Sequence, residues 1–305
     1  MQKICQPPLI MNLYSNLLHK VKVHNGLMQM SFNQITDQQF SNCDGFLLAK
    51  LTNKISIAVD PNDYNGRIVY LFGTNEPRIQ AVIQALLSPG DRFLDIGANY
   101  SSIGLSAINS VGSNGQIHLF EPQPEICQSV EKAIQTARLT NVFLHKVALM
   151  NYSSDKQLIR PKKHSGKGTL LAEYGDQEEW ETVTVSVKNI QDYVPPLVDL
   201  APFGAKVDVE GAEIYVIPWL LSQPNLKFLV FEVARNLNNL WDIVKSSGLV
   251  LYGIKGQLFT TCIHKIESLN DLHLYRDVLA VKLNNSVKLP QKTSPYNLGK
   301  LLKIT

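Results

Sequence analysis

The chain has 305 residues, 45% of them hydrophobic and 18% charged, with a formal net charge of +3. That is ordinary for a soluble globular protein with a sizeable core, in one large domain or two small ones. The charge is too mild to argue for nucleic acid or a membrane surface as partner, since both go with a concentrated basic face.

Cys5, Cys43, Cys127 and Cys262 are scattered, with no C-x-x-C pair and no histidine at metal-ligand spacing. Four free thiols point to a reducing, cytoplasmic setting. The start of the chain lacks the apolar stretch and cleavage site of a secretory signal, and no window is apolar enough to cross a bilayer.

Residues 1 to about 90 mix short apolar runs with polar turns. "ISIAVD" and "GRIVYLFG" read as strands beside the turn-rich "PNDYNG". "NEPRIQAVIQALLSPGD" reads as a helix, with Ile79, Val82, Ile83, Leu86 and Leu87 at helical spacing and Pro89-Gly90 closing it. From about residue 92 strands and helices alternate: "RFLDIG", a helix through "SIGLSAINSV", "QIHLFEP", the helix "PEICQSVEKAIQTARL", then "NVFLHKVAL". Residues 151–181 read as a long polar loop, of a kind usually functional or mobile. "TVTVSV", "AKVDVEG", the helix "AEIYVIPWLL", "KFLVFEV", the helix "LNNLWDIVKSSG", "LVLYGI" and "DVLAVKL" follow.

This pattern predicts a doubly wound, mostly parallel α/β sheet buried on both faces. The last two strands, with no long helix between them, are expected to pair antiparallel at one edge. Residues 284–305 read as a polar tail.

In such a sheet the ligand sits beyond the carboxyl ends of the strands, where strand order reverses. "FLDIGANYSSIG" is placed there. A dinucleotide would need glycines at G-x-G-x-x-G spacing, yet after Gly97 the next glycine is Gly104. S-adenosylmethionine (SAM) needs one close backbone approach, which Gly97 supplies, a carboxylate near its positive end and a short amide. Asp95 and Asn99 fit the last two needs. Glu121, ending the second strand in "HLFEP", is placed for the two ribose hydroxyls.

"FLDIGAN", "IHLFEPQPE", "NVFLHKVAL", "AKVDVEGAE" and "FLVFE", taken in this order over about residues 60–235, resemble the FkbM family of SAM-dependent methyltransferases. The resemblance implies a class I, Rossmann-like fold of seven strands, SAM as donor and a hydroxyl of a sugar or secondary-metabolite scaffold as acceptor. It divides the chain into an N-terminal extension or cap (1–59), a methyltransferase domain (60–283) and the tail (284–305). It implies cofactor contacts at Asp95, Gly97, Ala98, Asn99, Ser101, Glu121, Pro122 and Ala148, with Leu149 also near the adenine. Asp208, Glu210, Gly211 and Glu213 fill its acidic signature, and Glu76 falls at a usually acidic position. There is one departure: a second glycine usually follows Asn99 closely, and this chain has Tyr100-Ser101. A serine there could crowd the cofactor or bond it, which keeps open a second reading, a catalytically silent SAM-fold binding protein. An NAD-linked oxidoreductase is disfavoured by the missing glycines.

For catalysis the candidates are Asp208 and Glu210, as base or as orienters of the acceptor. Asp208 is favoured for a site role, Glu210 stands level between site and helix cap, and Glu213 leans to the cap. Asp208 and Glu232 end adjacent strands and could hold a divalent metal. Glu232 could equally pair with Arg235, and no metal is expected. His145 reads as packed within a strand; His164, the nearby lysines and Trp180 are weaker acceptor-side candidates. The expected partner is a small-molecule acceptor, with no nucleic acid and no membrane span. Acceptor choice falls to the N-terminal cap and to residues 151–181, which carry no signature.

Overall fold

The computed structural model describes residues 3–40, 43–171, 179–198, 201–233 and 237–282, and the backbone of 293–294, 297–301 and 303–304. The N-terminal region holds two helices not expected from the sequence, α1 (Leu9–Val21) and α2 (Gly26–Phe40). The buried stripe of α2 is Gln29, Asn33, Thr36 and Phe40, a helical period carried mostly by polar side chains, so apolar periodicity does not report it. β1 (Leu47–Lys50) and β2 (Ser56–Val59) form an antiparallel pair, and Cys5 and Cys43 are joined by a disulfide. Cys127 and Cys262 are free and buried. The expectation of four free thiols is therefore corrected, and the inference to a reducing compartment loses its premise.

"GRIVYLFG" is a helix rather than a strand: α3 spans Tyr64–Phe72. The Asp63 side chain caps it by accepting from the Gly66 amide at 2.8 Å, and Gly73, at φ 72°, ends it. Every residue from Gly66 to Phe72 is buried, so no solvent face marks the helical period. α4 (Pro77–Leu86) follows as expected.

The chain then runs β3 (Arg92–Ile96), α5 (Ser102–Ser106), α6 (Ile108–Val111), β4 (Gln116–Phe120), α7 (Pro124–Thr136) and β5 (Val142–His145). "NVFLHKVAL" splits at Lys146: β6 (Ala148–Met150) leaves the main sheet and pairs with β8 (Trp180–Asn189), which also pairs antiparallel with β7 (Ser154–Pro161). The 151–181 segment is thus in part a ribbon, not a long loop. After α8 (Ile190–Tyr193) and α9 (Pro195–Val198) come β9 (Phe203–Val207), α10 (Glu213–Ser222), β10 (Leu226–Glu232) and α11 (Leu237–Ser246). β11 (Val250–Gly256), β12 (Thr261–Ile266), α12 (Leu269–Leu272) and β13 (Asp277–Val281) complete the sheet region. The tail carries β14 (Thr293–Ser294), β15 (Asn297–Leu301) and β16 (Lys303–Ile304); β16 pairs with β12, so the tail is not simply a solvated end.

The main sheet has the order β16-β12-β11-β13-β10-β9-β3-β4-β5. β5, β4, β3, β9 and β10 are parallel, and β13 runs antiparallel between β10 and β11. β11 and β13 pair antiparallel as expected, but β13 inserts inside the sheet and β12, unforeseen, extends the edge. Side chains alternate between two cores. Phe93, Leu119, Phe228 and Val230 face one side together with α3, α4 and the apolar residues of the N-terminal region, while Leu94, Phe120, Leu229 and Phe231 face the other with α10 and α11. From β3 the chain steps outward through β4 to β5, then returns to β9 and β10 on the opposite side. The carboxyl ends of β3 and β9 therefore part at a switch point, and a crevice opens there.

Because the Cys5–Cys43 bridge closes a loop of 38 residues' separation, its removal is expected to cost up to about 4 kcal/mol of chain entropy. Guanidinium unfolding of Cys43→Ala against wild type, each with and without reductant, measures this; identical curves throughout would mean the thiols are not joined.

Candidate active site at the switch point

The crevice holds a cavity of about 760 Å³ with two halves. One is walled by the ends of β3, β4 and β6, the other by the start of α2, by β11 and by the turn before β13.

In the first half, Gly97 and Asn99 from the β3 loop, Glu121 and Pro122 from the end of β4, and Ala148 and Leu149 from β6 all line the cavity. Gly97 is at φ 78°, and a Cβ there would lie 1.8 Å from the Asp208 carbonyl oxygen, so only glycine allows β3 and β9 to meet here. Glu121 is 2% exposed. One of its carboxylate oxygens accepts from the Asn99 amide at 2.8 Å, the other from the Gln123 amide at 2.9 Å. Burial pushes its pKa up to about 7.

Three residues of the expected set do not line the cavity. Asp95 is fully buried behind the loop: it accepts from the Gly104 amide at 2.9 Å and lies 3.6 Å from the Lys206 ammonium. Ala98 is buried, and Ser101 turns its hydroxyl back onto the Asn99 carbonyl at 3.3 Å. Ser101 stands where the sequence resemblance leads one to expect glycine, and its backbone keeps the left-handed conformation at φ 54°. Asn99 (φ 48°) and Glu210 (φ 50°) share that conformation, a strain of about 1 kcal/mol each that clusters around this cavity. The Tyr100 hydroxyl accepts from the Asp60 amide at 3.2 Å, and its ring is buried. Neither Tyr100 nor Ser101 lines the cavity.

Where the halves meet, carboxyl oxygens of Asp208, Glu210 and Glu232 lie within 4.8 Å of one another. Lys206, 3% exposed, sits 3.4 Å from Asp208 and donates to the Gly97 carbonyl at 3.2 Å. Burial works to raise the Asp208 pKa, but the charge of Lys206, a hydrogen bond from Glu232 and the charge of Arg276 together hold the carboxyl below its ordinary value. Burial, reinforced by Asp208, pushes Glu232 up to about 9, and in the same way pushes Glu76 up to about 7. The partner of Glu232 is Arg276, whose Nε donates to it; Arg235, the partner considered from sequence, lies outside the described residues. Glu213 accepts from the Val209 and Gly211 amides at 3.1 and 2.9 Å, bracing the turn into α10.

His145 is packed: its ring stacks on Phe120 and bonds Tyr193 and His118. His164 lines the cavity, stacked on Tyr64 at 4.5 Å, whereas Trp180 does not reach it. Sequence reasoning missed Ser165, which ties three segments. Its amide and hydroxyl donate to Asp63, its hydroxyl accepts from Asn99, and its carbonyl accepts from Gln123. It also missed Lys206, although a lysine inside the apolar run "AKVDVE" was a legible sign of a buried ion pair.

No protein-family model and no curated protein matches the sequence. Among solved structures, precorrin-6y C5,15-methyltransferase from Geobacter metallireducens GS-15 is similar at 13% identity, over 70% of this chain and 91% of that one, with a TM-score of 0.40. Methyltransferase FkbM from Methylobacillus flagellatus KT is similar at 12% identity and a TM-score of 0.41, over 84% of this chain and 59% of that one. An rRNA methylase from Streptococcus thermophilus gives 10% identity and a TM-score of 0.39, over 68% and 95%. The doubly wound, mostly parallel sheet is a Rossmann-like arrangement. Identities and scores of this size leave the chemistry to be argued from the residues of the cavity.

Replacing Lys206 with Met is expected to cost about 3–5 kcal/mol, because the fully buried Asp95 and the half-buried Asp208 then remain as neighbouring like charges. Folding opposes their ionisation in that variant, so the loss is largest where both are ionised and shrinks as pH falls through the carboxylate range. Guanidinium unfolding at about pH 7.5 and about pH 4.5 measures both.

Proposed function

We propose that the protein is a SAM-dependent methyltransferase acting on a hydroxyl of a small molecule. The observation that carries this is the first half of the cavity. There a buried carboxylate, Glu121, closes an apolar slot walled by Phe120, Val147, Ala148 and Leu149, next to the glycine turn at Gly97. Each Glu121 oxygen uses one lone pair on a backbone amide and keeps capacity for a hydroxyl, which fits a ribose diol with a flat apolar base beside it. Gly97 and Asn99 would hold the amino-acid end, and Asp208, kept ionised by Lys206, would meet its ammonium. Asp95 acts from behind, by fixing Lys206 and the Gly104 amide.

When bound, SAM supplies a methyl group activated by a sulfonium. The residues at the junction of the halves do the rest. Glu210 would take the proton of the acceptor hydroxyl, and Arg276 holds Glu232 beside it. The residues of α2 that face the cavity give the N-terminal cap (1–59) its part in shaping that pocket. Glu76, Asp208, Glu210 and Glu232 share the cavity wall with Arg78, Lys167, Lys255 and Arg276, a mixed charge that suits an uncharged acceptor. Tyr100 and Ser101 do not line the cavity, which supports the catalytic reading over a silent binding protein.

Calorimetric titration with S-adenosylhomocysteine, with NAD as comparison, tests the donor site. The homocysteine compound is expected to bind at micromolar concentrations and NAD not to bind. Glu121→Gln, which sets an amide donor against a backbone amide, is expected to weaken binding about tenfold or more. In the wild type, affinity rises with pH through about 7, as Glu121 ionises and accepts both hydroxyls; the Gln variant lacks that step. Equal binding by variant and wild type at every pH would sink the assignment. With an acceptor in hand, Glu210→Gln is expected to lower kcat about a hundredfold or more while leaving that affinity unchanged.

A further inference from the structure

The second half of the cavity differs from the first in what its mouth presents to water. Leu27 at the start of α2 is 71% exposed, Met30 one turn on is 38% exposed, and Leu274 across the opening is 74% exposed, and all three line the cavity. Tyr64, Ile254 and Tyr275 line the same cavity, as do Asp208, Glu210 and Glu232. Single exposed apolar residues need no explanation, but three around one cavity mouth mark a surface that is covered when the site is occupied. A bare sugar could bond polar residues of that wall such as Asn25, Gln34, Lys255 and Arg276, but it would leave the three apolar side chains wet. A molecule with a hydroxyl at one end and a hydrocarbon portion at the other matches both ends of the channel.

We propose that the acceptor is amphipathic: its hydroxyl-bearing end enters to Glu210, and its alkyl or isoprenoid portion leaves across Leu27, Met30 and Leu274. The assignment of the polar end rests on the methyltransferase reading; that of the apolar end rests on the rim alone. Gln29, on the same turn of α2, supports it. It is 2% exposed, lines the cavity, and its amide nitrogen has no partner, so it stands ready to donate to an oxygen of such a molecule.

The test is calorimetric titration of the full chain, saturated with S-adenosylhomocysteine, with octyl glucoside below its micelle concentration and with glucose. Each methylene taken from water is worth about fourfold in affinity, so burial of even part of the chain makes the octyl compound bind at least about tenfold tighter. The double variant Leu27→Gln/Leu274→Gln changes two exposed side chains that folding does not need. It is expected to cut that preference below about threefold with S-adenosylhomocysteine affinity retained. Equal binding of glucose and octyl glucoside by the wild type, or an undiminished preference in the double variant, overturns the proposal. Repeating both titrations without S-adenosylhomocysteine separates the two readings. A protein that fails to bind the cofactor product yet keeps the octyl preference refutes the methyltransferase assignment and retains the apolar subsite.

Discussion

The site depends on one buried cation. Lys206 lies on β9 with its ammonium among the Asp95 carboxylate on β3, the Asp208 carboxylate at the end of its own strand and the Gly97 carbonyl in the loop between β3 and α5. A lysine almost fully removed from water is tolerated only when its charge is met, and here burial, which opposes the charge, is outweighed by Asp208 and Asp95, which raise its pKa. The same contacts join the two strands whose ends must part to make the crevice. Gly97 completes the junction, because the Asp208 carbonyl occupies the place of any Cβ. The polarity of the site follows. Asp208 stays ionised beside Lys206, and Glu232, one strand further on and facing Asp208, is pushed toward its neutral form.

Much of this was legible in the sequence, and the exceptions have physical causes. Strands β3, β4, β9, β10, β11 and β13 declared themselves as apolar runs because this sheet is covered on both faces. α3 failed for the same reason turned around: a helix buried on all sides loses its period, and "RIVY" then reads as β-branched strand. α1 and α2 failed because the α2 stripe is polar and because α1 begins after Pro8 with no side-chain cap. The insertion of β13 between β10 and β11 is a matter of pairing, which no single run encodes. The disulfide was hidden because Cys5 and Cys43 come together only through the packing of the N-terminal region.

The site residues divide along the same line. Those set by a backbone requirement, Gly97 in its positive-φ turn and Glu121 at a strand end, were placed by motif and stand on the cavity wall. Asp95 and Ser101 belong to the same motif but serve the loop from behind, since a strand-end motif fixes position in the chain and not which way each side chain turns. Ser165 comes from a segment without periodicity, and its role exists only because Asp63, Asn99 and Gln123 converge on it.

The two halves of the cavity therefore have different origins. The first is made by strand ends, whose positions the sheet dictates, so its chemistry is tied to the fold. The second is made by α2, β11 and the turn carrying Leu274 and Tyr275, elements that lie beyond the parallel strands and are free to vary without disturbing the Lys206 junction. An apolar rim built from exposed side chains of those elements costs the core nothing, because Leu27 and Leu274 contribute little to packing in the free protein. Their exposure is explained by function more readily than by folding, and this is why acceptor choice is to be sought in residues that neither the strand motifs nor the core pattern marks.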